Sequence, residues 1–489
     1  MSWLRYLALG LFPALFCWLP GSQSQDPAAL RLVADKAENP APWWYQSASF
    51  GDDESLKLLT DYARFNQDNF WLQKAADLNS VVALYSQAMN ENTSGKQLKY
   101  FLKAASLGHA DSQFELGIIS EQPAVKEKWL TLAAEQNHLN AQVALYQWYV
   151  LNNQWQQAIP WMKKAALVDA ASATRLARYF WRKREYAQAK QYFKQAGDLG
   201  SQEASALLDY ISRYWQGENS VKVASNRLAV EHAQCIIRLQ FVATSLTAIA
   251  KAGEFVKQFR QDKRLKTLPV CLNEPVWVNA KNLPCNNNWQ GGKRLGCSIA
   301  TLAEQASSAD FTHLAVFAEQ GKANVQNGIM FLDLADTYSV FVHELAHFAG
   351  FLDEYPLSKQ LAERVCSNRN APNLVIVPQD QPLPSYEQIP WSYTGDVTLS
   401  PARTCNNTDA RAFKPVSEMT FLEFYDQENI PDVYLQIWQQ QLQKRTSLIP
   451  VYVNFAQWYE KQGNPDKADI WWQAYRRYTG SLPAQVGQP

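Results

Sequence analysis

Apolar residues recur at helical spacing through the first half of the chain, in units that pass from an aromatic residue into a pair of small residues. Five units align on this pattern, and their first alanines are Ala75, Ala104, Ala133, Ala165 and Ala196. The intervals between these alanines are 29, 29, 32 and 31 residues. A nearly constant interval of this size is typical of helical hairpins stacked into a solenoid. The pattern therefore predicts helical repeats over residues 50–215.

The pattern changes after the repeats, where short apolar runs alternate with helical segments. Strands are predicted at 235–239, 275–278, 313–317 and 328–332, with a helix near 245–262. Residues 225–445 are therefore expected to form an α+β domain. At 450–480 the paired aromatic and small residues predict one more helical hairpin, which resembles the tetratricopeptide type. The expected fold is multidomain: a helical solenoid, an α+β domain and a C-terminal hairpin.

The first 24 residues predict a secretory signal. Arg5 is the only charged residue before Asp26, residues 6–19 are almost wholly apolar, and small residues follow at Ser22 and Ser24. The apolar run is short for a membrane span, and no later stretch approaches twenty apolar residues. We therefore expect an exported chain without a membrane span, in the periplasm, at the cell surface or secreted, with a bacterial envelope favoured.

Composition and charge narrow the class of partner. The 489 residues include 46 basic and 46 acidic side chains, so the formal net charge is zero. Nucleic-acid binding therefore lacks its usual electrostatic footprint. The apolar share of 47% is high enough for substantial cores and argues against disorder. The expected partners are a protein or peptide substrate and a protein bound through the repeats.

The cysteines indicate an oxidising compartment. Cys17 belongs to the predicted signal, and the six that remain lie between residues 235 and 405. An even number of cysteines in an exported chain predicts disulfides, although fifteen pairings are formally open. The favoured pairing is Cys235–Cys271, Cys285–Cys297 and Cys366–Cys405.

The candidate chemistry lies in residues 343–355, which read HELAHFAGFLDEY. His343 and His347 are four residues apart, so on a helix both can face one metal ion. Glu344 lies beside the first histidine and is the expected general base. Gly350 allows the backbone to leave the helix in a left-handed turn, which would bring Asp353 back as a third ligand. The combined spacing makes a chance match negligible.

The third ligand has alternatives. No histidine follows His347, so a downstream ligand must be a carboxylate or something weaker. Asp353 fits best, Glu354 is the alternative, and His313 or His232 could arrive from upstream. Two imidazoles and a carboxylate would also suit iron(II). The glutamate between the histidines favours Zn²⁺ and hydrolysis, because that position suits a base that activates water.

These residues resemble the metzincin clan of zinc peptidases, in its variant with an aspartate ligand. The ending GFLDEY is similar to the GLADEY sequence of the bacterial immunoglobulin-A-peptidase-like family, with Phe351 and Leu352 departing from it. The resemblance implies an α+β peptidase fold around residues 310–440 and a methionine-containing turn beneath the metal. Met419 is the candidate for that turn, and its side chain would form a packed floor. The resemblance also suggests that the strand at 328–332 is the edge strand that pairs with substrate.

The repeats resemble Sel1-like repeats, relatives of the tetratricopeptide family, most closely from Ala104 to Gly117. That resemblance implies a surface for protein interaction and no chemistry. Two functions follow from the sequence. The first is an exported zinc endopeptidase whose repeats recruit substrate or a partner. The alternative is an envelope scaffold or adaptor in which the metal domain is inactive or structural.

Overall fold

The computed structural model of the protein describes six stretches of the chain. These are residues 26–218, 235–289, 294–306, 311–367, 371–394 and 398–480. The predicted signal segment and His232 lie outside the described residues. The chain divides into two compact units, with the boundary between Ser205 and Ala206. No helix in the described stretches is long and apolar enough to cross a membrane.

Helices account for all the regular structure described up to residue 214. They are α1 (Pro27–Ala34), α2 (Ala41–Ser49), α3 (Asp53–Phe65), α4 (Asn69–Asp77), α5 (Val81–Asn90), α6 (Ser94–Ser106), α7 (Ala110–Ile119), α8 (Pro123–Glu135), α9 (Leu139–Leu151), α10 (Trp155–Ala166), α11 (Ala170–Arg182), α12 (Tyr186–Asp198) and α13 (Gln202–Tyr214). Consecutive helices from α1 to α12 pack against each other. The helical solenoid predicted from the repeat interval is therefore confirmed.

The five aligned units are the hairpins α4–α5, α6–α7, α8–α9, α10–α11 and α12–α13. Their repeated small residues are buried: Ala75, Ala104, Ala133, Ala165 and Ala196 are all 0% exposed. A sixth hairpin, α2–α3, precedes them and was missed. In α2 the buried pair is Ser47 and Ala48, so the repeated double alanine is incomplete there.

The second helix of each hairpin begins at a side chain that caps its N-terminus. In each case a side-chain atom accepts a hydrogen bond from the backbone N–H three residues later, at 2.7–3.3 Å. The capping residues are Asp52, Ser80, His109, His138, Asp169 and Ser201. The cap satisfies an N–H group that the helix itself leaves without a partner. The repeat interval thus fixes where each second helix begins as well as which face it buries.

The second unit contains a mixed sheet. Its strands are β1 (Ile237–Ala243), β2 (Val270–Leu272), β3 (Val276–Trp277), β6 (His313–Phe317), β7 (Asn324–Gln326) and β8 (Ile329–Leu332). The order is β2-β1-β6-β8-β7, with β3 also paired to β1. All these pairings are parallel except that of β7, which runs antiparallel to β8. Strands were correctly predicted in all four of the expected places.

The second unit also contains two smaller sheets and further helices. One sheet pairs β4 (Cys285–Asn286) with β5 (Gly296–Cys297), and the other consists of β9 (Val375–Pro378), β10 (Ser400–Ala402) and β11 (Ala410–Lys414). The helices are α14 (Leu246–Gln261), α15 (Ile299–Gln305), α16 (Tyr338–His347), α17 (Lys359–Ser367), α18 (Asp432–Gln443), α19 (Val451–Lys461) and α20 (Pro465–Thr479). The helix predicted near 245–262 is α14, and the predicted C-terminal hairpin is α19–α20.

The edge of the sheet differs from the prediction. The strand expected at the edge, 328–332, is β8, and it lies between β6 and β7. All four residues of β8 are buried, as is typical of an internal strand with an unbroken apolar run. The edge strand is β7, whose residues range from buried Asn324 to exposed Gln326.

The C-terminal hairpin packs against the β7–β8 turn. The Val451 N–H donates to the Thr312 carbonyl at 2.9 Å. Gly328, at φ 80°, lies so close that a Cβ there would be 2.3 Å from the Val451 nitrogen. Only glycine meets both demands, since it tolerates the left-handed conformation and has no side chain to collide. The hairpin is thus part of the second unit's core.

Three disulfides join the six cysteines in the favoured pairing, which is confirmed. They are Cys235–Cys271, Cys285–Cys297 and Cys366–Cys405, with Cα–Cα distances of 5.7, 4.0 and 6.0 Å. The first links the segment before β1 to β2, the second links β4 to β5, and the third links α17 to the loop before β11.

The capping series predicts a stability change in the solenoid. Asp169→Ala removes the acceptor for the Ser172 N–H, so the free energy of unfolding should fall by about 1 kcal/mol. Asp169→Ser should restore most of the loss, because serine fills the equivalent position in two other hairpins. Urea denaturation of the full chain, followed by far-ultraviolet circular dichroism, measures both. Equal midpoints for the two variants would contradict the capping role.

Candidate metal centre

Helix α16 carries the two histidines and is anchored on the sheet by aromatic packing. The helix begins at Thr337, whose hydroxyl accepts from the Val340 N–H at 3.4 Å. The Phe341 ring lies 5.5 Å from the ring of Phe241 in β1 and 5.7 Å from that of Phe255 in α14. This packing fixes the rotation of the helix, so both histidines are directed toward the segment that follows the helix.

Three donor atoms meet beside α16. The Nε2 atoms of His343 and His347 are 3.2 Å apart, and Asp353 Oδ1 lies 3.0 Å from the first and 3.2 Å from the second. Ligands of a tetrahedral zinc ion at ordinary bond lengths are about 3.3 Å from one another. The donor set and its spacing therefore fit a zinc ion held by two imidazoles and one carboxylate.

Both imidazoles are oriented by backbone carbonyls. His343 Nδ1 lies 2.8 Å from the Phe421 carbonyl oxygen, and His347 Nδ1 lies 2.7 Å from that of Phe351. A carbonyl can only accept, so each Nδ1 carries a proton and donates it. Nε2 of each ring faces the common point and is the nitrogen that can bind a metal ion once its proton has left. Such partners behind the ligands hold the ring orientation and the tautomer of metal-binding histidines.

Gly350 makes the turn that returns the chain to the histidines. Its φ is 82°, and its N–H donates to the His347 carbonyl at 3.0 Å. This left-handed residue ends the helix, as the sequence predicted. Asn373 then holds the returning segment, because its side chain bonds both the N–H and the carbonyl of Leu352 at 2.9 Å. The Thr404 hydroxyl donates to the Asp353 carbonyl at 2.7 Å.

Glu354, the alternative third ligand, is directed away from the histidines. Its side chain is fully buried, and it accepts hydrogen bonds from Asn373 at 2.9 Å, from Tyr434 at 2.6 Å and from Thr420. The structure therefore brings Asp353, and not Glu354, to the pair. Burial raises the pKa of Glu354, while these three donors act in the opposite direction. The carboxylate joins the ligand-bearing turn to the segment around Phe421, which orients His343.

Met419 does not form the packed floor that the resemblance implied. Its side chain is 53% exposed, and the sulfur contacts the Gln427 amide at 3.8 Å. Phe421, two residues later, is buried instead and supplies the carbonyl that bonds His343. The distance along the chain from the histidines does not determine which side chain of this segment faces inward.

His313, the upstream alternative, also lies apart from the three donors. It belongs to β6 and is fully buried, with Nδ1 2.8 Å from the Thr312 hydroxyl and its ring 4.5 Å from that of Phe348. Burial lowers the pKa of His313 to about 3, so the ring is neutral. The other upstream alternative, His232, lies outside the described residues.

The three donors form a strongly coupled acid–base group. Burial alone would raise the pKa of Asp353, but hydrogen bonds from His343 and His347 hold it well below its usual range. Burial alone would lower the pKa of His347, but the hydrogen bond and charge of Asp353 raise it to about 9. At neutral pH a proton therefore lies between His347 and Asp353, and a bound metal ion would replace it.

Glu344 lies beside this group and is 7% exposed. A carboxylate oxygen of Glu344 and one ring nitrogen of each histidine all lie within 4.8 Å of one another. Burial raises the pKa of Glu344, and the charge of Asp353 adds to the effect, whereas the histidines and Arg294 oppose it. A carboxylate with a raised pKa is a stronger base than an exposed one.

A cleft of about 330 Å³ opens beside the candidate metal centre. Glu344, His347 and Asp353 line it. The edge strand contributes Asn324 and Val325, and the further lining includes Arg294, Lys322, Tyr355, Leu357, Leu361, Val365 and Ile449. Apart from Tyr355, which ends the motif at 343–355, no local motif marks these residues, and they come together only through the fold.

Comparisons with known proteins address only the repeats. No protein-family model matches the chain, and no curated protein matches it. Among solved structures, one similar protein is a protective antigen of uropathogenic Escherichia coli displaying an SLR fold, at 19% identity and a TM-score of 0.31. That similarity covers 38% of this chain and 49% of the antigen, so the chain spans about half of its length.

A second similar structure is a Sel1 repeat protein from Oxalobacter formigenes, at 20% identity and a TM-score of 0.26. The similarity covers 40% of this chain and 83% of the Sel1 repeat protein. Both are repeat proteins, and neither is described as a peptidase. The resemblance of residues 343–355 to metzincins gains no support from these comparisons.

The contacts of Glu354 predict that its removal affects both folding and metal binding. Glu354→Ala leaves three buried donors without an acceptor, so the free energy of unfolding should fall by about 3 kcal/mol. Zinc affinity should weaken about 10- to 100-fold, because the segment that orients His343 loses its tie. Calorimetry and chelator competition measure the two effects. Glu418→Ala, at an exposed carboxylate nearby, is the control; equal zinc affinity in both variants would contradict the positioning role.

The raised pKa of His347 predicts a pH-dependent zinc affinity. Below about pH 9 a proton occupies the donor group and must leave when zinc binds, so affinity should rise about tenfold per pH unit from pH 6 to 8. Asp353→Asn removes the charge that raises this pKa, so its weaker binding should vary less with pH. Chelator competition at several pH values measures both. A constant affinity in the unaltered protein would contradict the shared proton.

Proposed function

We propose that the second unit is a zinc-dependent peptidase and that the helical repeats bind its substrate or a protein partner. The observation that carries the proposal is the convergence of His343, His347 and Asp353 beside Glu344 at the wall of an open cleft. A structural metal site has no need of an adjacent glutamate or of access to solvent. Here the three donors have both an adjacent glutamate, Glu344, and an open cleft beside them.

The residues divide into metal ligands and a base. His343, His347 and Asp353 would hold the ion at the wall of the cleft. Zinc in such a site is a Lewis acid that activates water for attack on a carbonyl. Glu344 accepts the proton of the attacking water on its carboxylate and passes it to the leaving amine. The place of this glutamate favours zinc over iron(II).

The sheet offers a place for an extended substrate. Strand β7 is the antiparallel edge strand, and two of its residues, Asn324 and Val325, line the cleft. A peptide can add to an exposed edge strand through backbone hydrogen bonds. The resemblance of residues 343–355 to metzincins supports the same arrangement, with β7 in place of the strand at 328–332.

The proposed location is outside the cytoplasm. Three disulfides in the second unit support an oxidising compartment. Together with the secretory signal predicted for residues 1–24, they favour an exported protein of the bacterial envelope, in the periplasm, at the cell surface or secreted.

A scaffold function is the second candidate. The observation that favours it is the solenoid, six hairpins that offer an extended surface of the kind that binds proteins. In this candidate the metal domain is inactive or structural, and the repeats carry the whole function. The comparisons, which report repeat proteins and no peptidase, contain nothing that favours the peptidase over this scaffold.

Substitution of Glu344 tests the peptidase. The zinc-loaded full chain should cleave members of a broad peptide library, and Glu344→Gln should reduce kcat about 10²- to 10⁴-fold because the base is lost. Zinc content should stay the same, since the three ligands remain. Glu319→Gln, at an exposed residue outside the cleft, is the control.

Two results would contradict the proposal. A zinc-loaded protein that cleaves no peptide would favour the scaffold. Cleavage at an unchanged rate by Glu344→Gln would exclude Glu344 as the base while leaving a hydrolase possible through another group.

A further inference from the structure

Two cationic side chains stand on one wall of the cleft. Arg294 and Lys322 both line it. Their segments run side by side, because the Leu295 N–H donates to the Lys322 carbonyl at 3.4 Å. The buried Asn324 amide joins them further, with bonds to the carbonyls of Leu295 at 2.9 Å and Lys322 at 3.1 Å. Arg294 and Lys322 therefore lie on neighbouring backbone segments at the start of the edge strand.

Neither charge is neutralised by the protein. Arg294 and Lys322 are exposed, and neither is within ion-pair distance of an acidic side chain in the described stretches. Elsewhere in the second unit, cations of the core are paired: Lys414 with Glu423 at 2.7 Å, for example. Exposed cations that are not in an ion pair can form charge-assisted hydrogen bonds with an anionic ligand.

The acidic residues of the cleft lining are Glu344 and Asp353, and both belong to the candidate metal centre. A bound divalent cation would offset these two carboxylates, so Arg294 and Lys322 would give the loaded cleft a net positive charge. Such a field favours an anionic substrate.

Another part of the cleft lining is apolar and includes Leu357, Leu361 and Val365. These residues lie in or just before α17, a different segment from the one that carries the cations. An apolar side chain and a carboxylate of one peptide could therefore be bound on separate parts of the cleft. Arginine is suited to the second task, because its planar guanidinium binds a carboxylate through two parallel hydrogen bonds.

We propose that the cleft selects peptides with a carboxylate near the cleaved bond, which Arg294 and Lys322 bind. This inference rests on the proposed peptidase function and names its substrate class. The carboxylate belongs either to an Asp or Glu side chain or to the free C-terminus of the peptide. Both sources present the same group to the two cations.

Matched peptides distinguish the two sources. One set carries Glu or Gln at each position around a cleaved bond, and the other ends in a free acid or an amide. For the zinc-loaded full chain, kcat/KM should be about tenfold higher for the acidic member of at least one set, and the ratio should fall toward one as salt is added. A preference confined to one set identifies the source.

Charge-removal variants assign the preference to the two residues. Arg294→Gln and Lys322→Gln should each reduce the acid-to-neutral ratio about threefold, and the double variant should abolish it. Lys266→Gln, which removes an exposed charge outside the cleft, should keep the full ratio. Arg294→Glu should shift the preference toward peptides with Lys at the same position.

The outcomes separate this inference from the proposed function. Equal kcat/KM for acidic and neutral peptides, or a preference that survives in the double variant, would overturn the carboxylate inference alone. If no peptide is cleaved, the peptidase proposal fails. Binding of the same peptides, fluorescently labelled and followed by anisotropy, then tests the carboxylate inference by itself. Equal Kd values for acidic and neutral peptides overturn the inference, and a preference for acidic peptides that is lost in the double variant supports it.

Discussion

The candidate metal centre depends on two hydrogen bonds from imidazole to backbone. His343 and His347 each donate from Nδ1 to a carbonyl, one in the distant segment at Phe421 and one in the adjacent turn at Phe351. These bonds fix which nitrogen of each ring is unprotonated and where it points. Without them, two histidines one helical turn apart could face the same side and still fail to present both lone pairs to one position.

The surrounding structure keeps those carbonyls in place. Glu354 joins the ligand-bearing turn to Thr420, next to Phe421, and to Tyr434 in α18. Asn373 bonds Glu354 as well as the backbone of Leu352. A buried polar network of this kind is favourable only when every member has a partner, which makes it intolerant of change but geometrically definite. The donor triangle is thus supported from behind by groups that never face the cleft.

The sequence predicted those features that repeat or that lie close together along the chain. The solenoid followed from small residues at a nearly constant interval, because each must be buried where two helices meet. The hairpin α2–α3 was not predicted, because Ser47 takes the place of the first alanine of the repeated pair there. The spacing from His343 to Asp353 was sufficient to predict a joint site, since one helical turn and one left-handed glycine determine most of its geometry.

Other features could not be predicted because they depend on the backbone or on distant segments. The carbonyl of Phe421 could belong to any residue type, so nothing in the sequence marks it. Met419 was assigned from its distance along the chain, but that distance does not reveal which side chain faces inward. The strand at 328–332 was assigned to the edge of the sheet from the resemblance. The order of the strands in space differs from their order in the chain, and β7 is the edge strand instead. Arg294 and Lys322 meet only once the sheet has formed.

The disulfide between Cys366 and Cys405 has a consequence for when the centre can be assembled. It ties α17 to the loop where Thr404 bonds the Asp353 carbonyl and the Arg403 N–H bonds that of Glu354. Thiols remain reduced in the cytosol, so a newly made chain there lacks this covalent tie. Formation of this disulfide in an oxidising compartment would thus complete the covalent tie on the turn that carries Asp353.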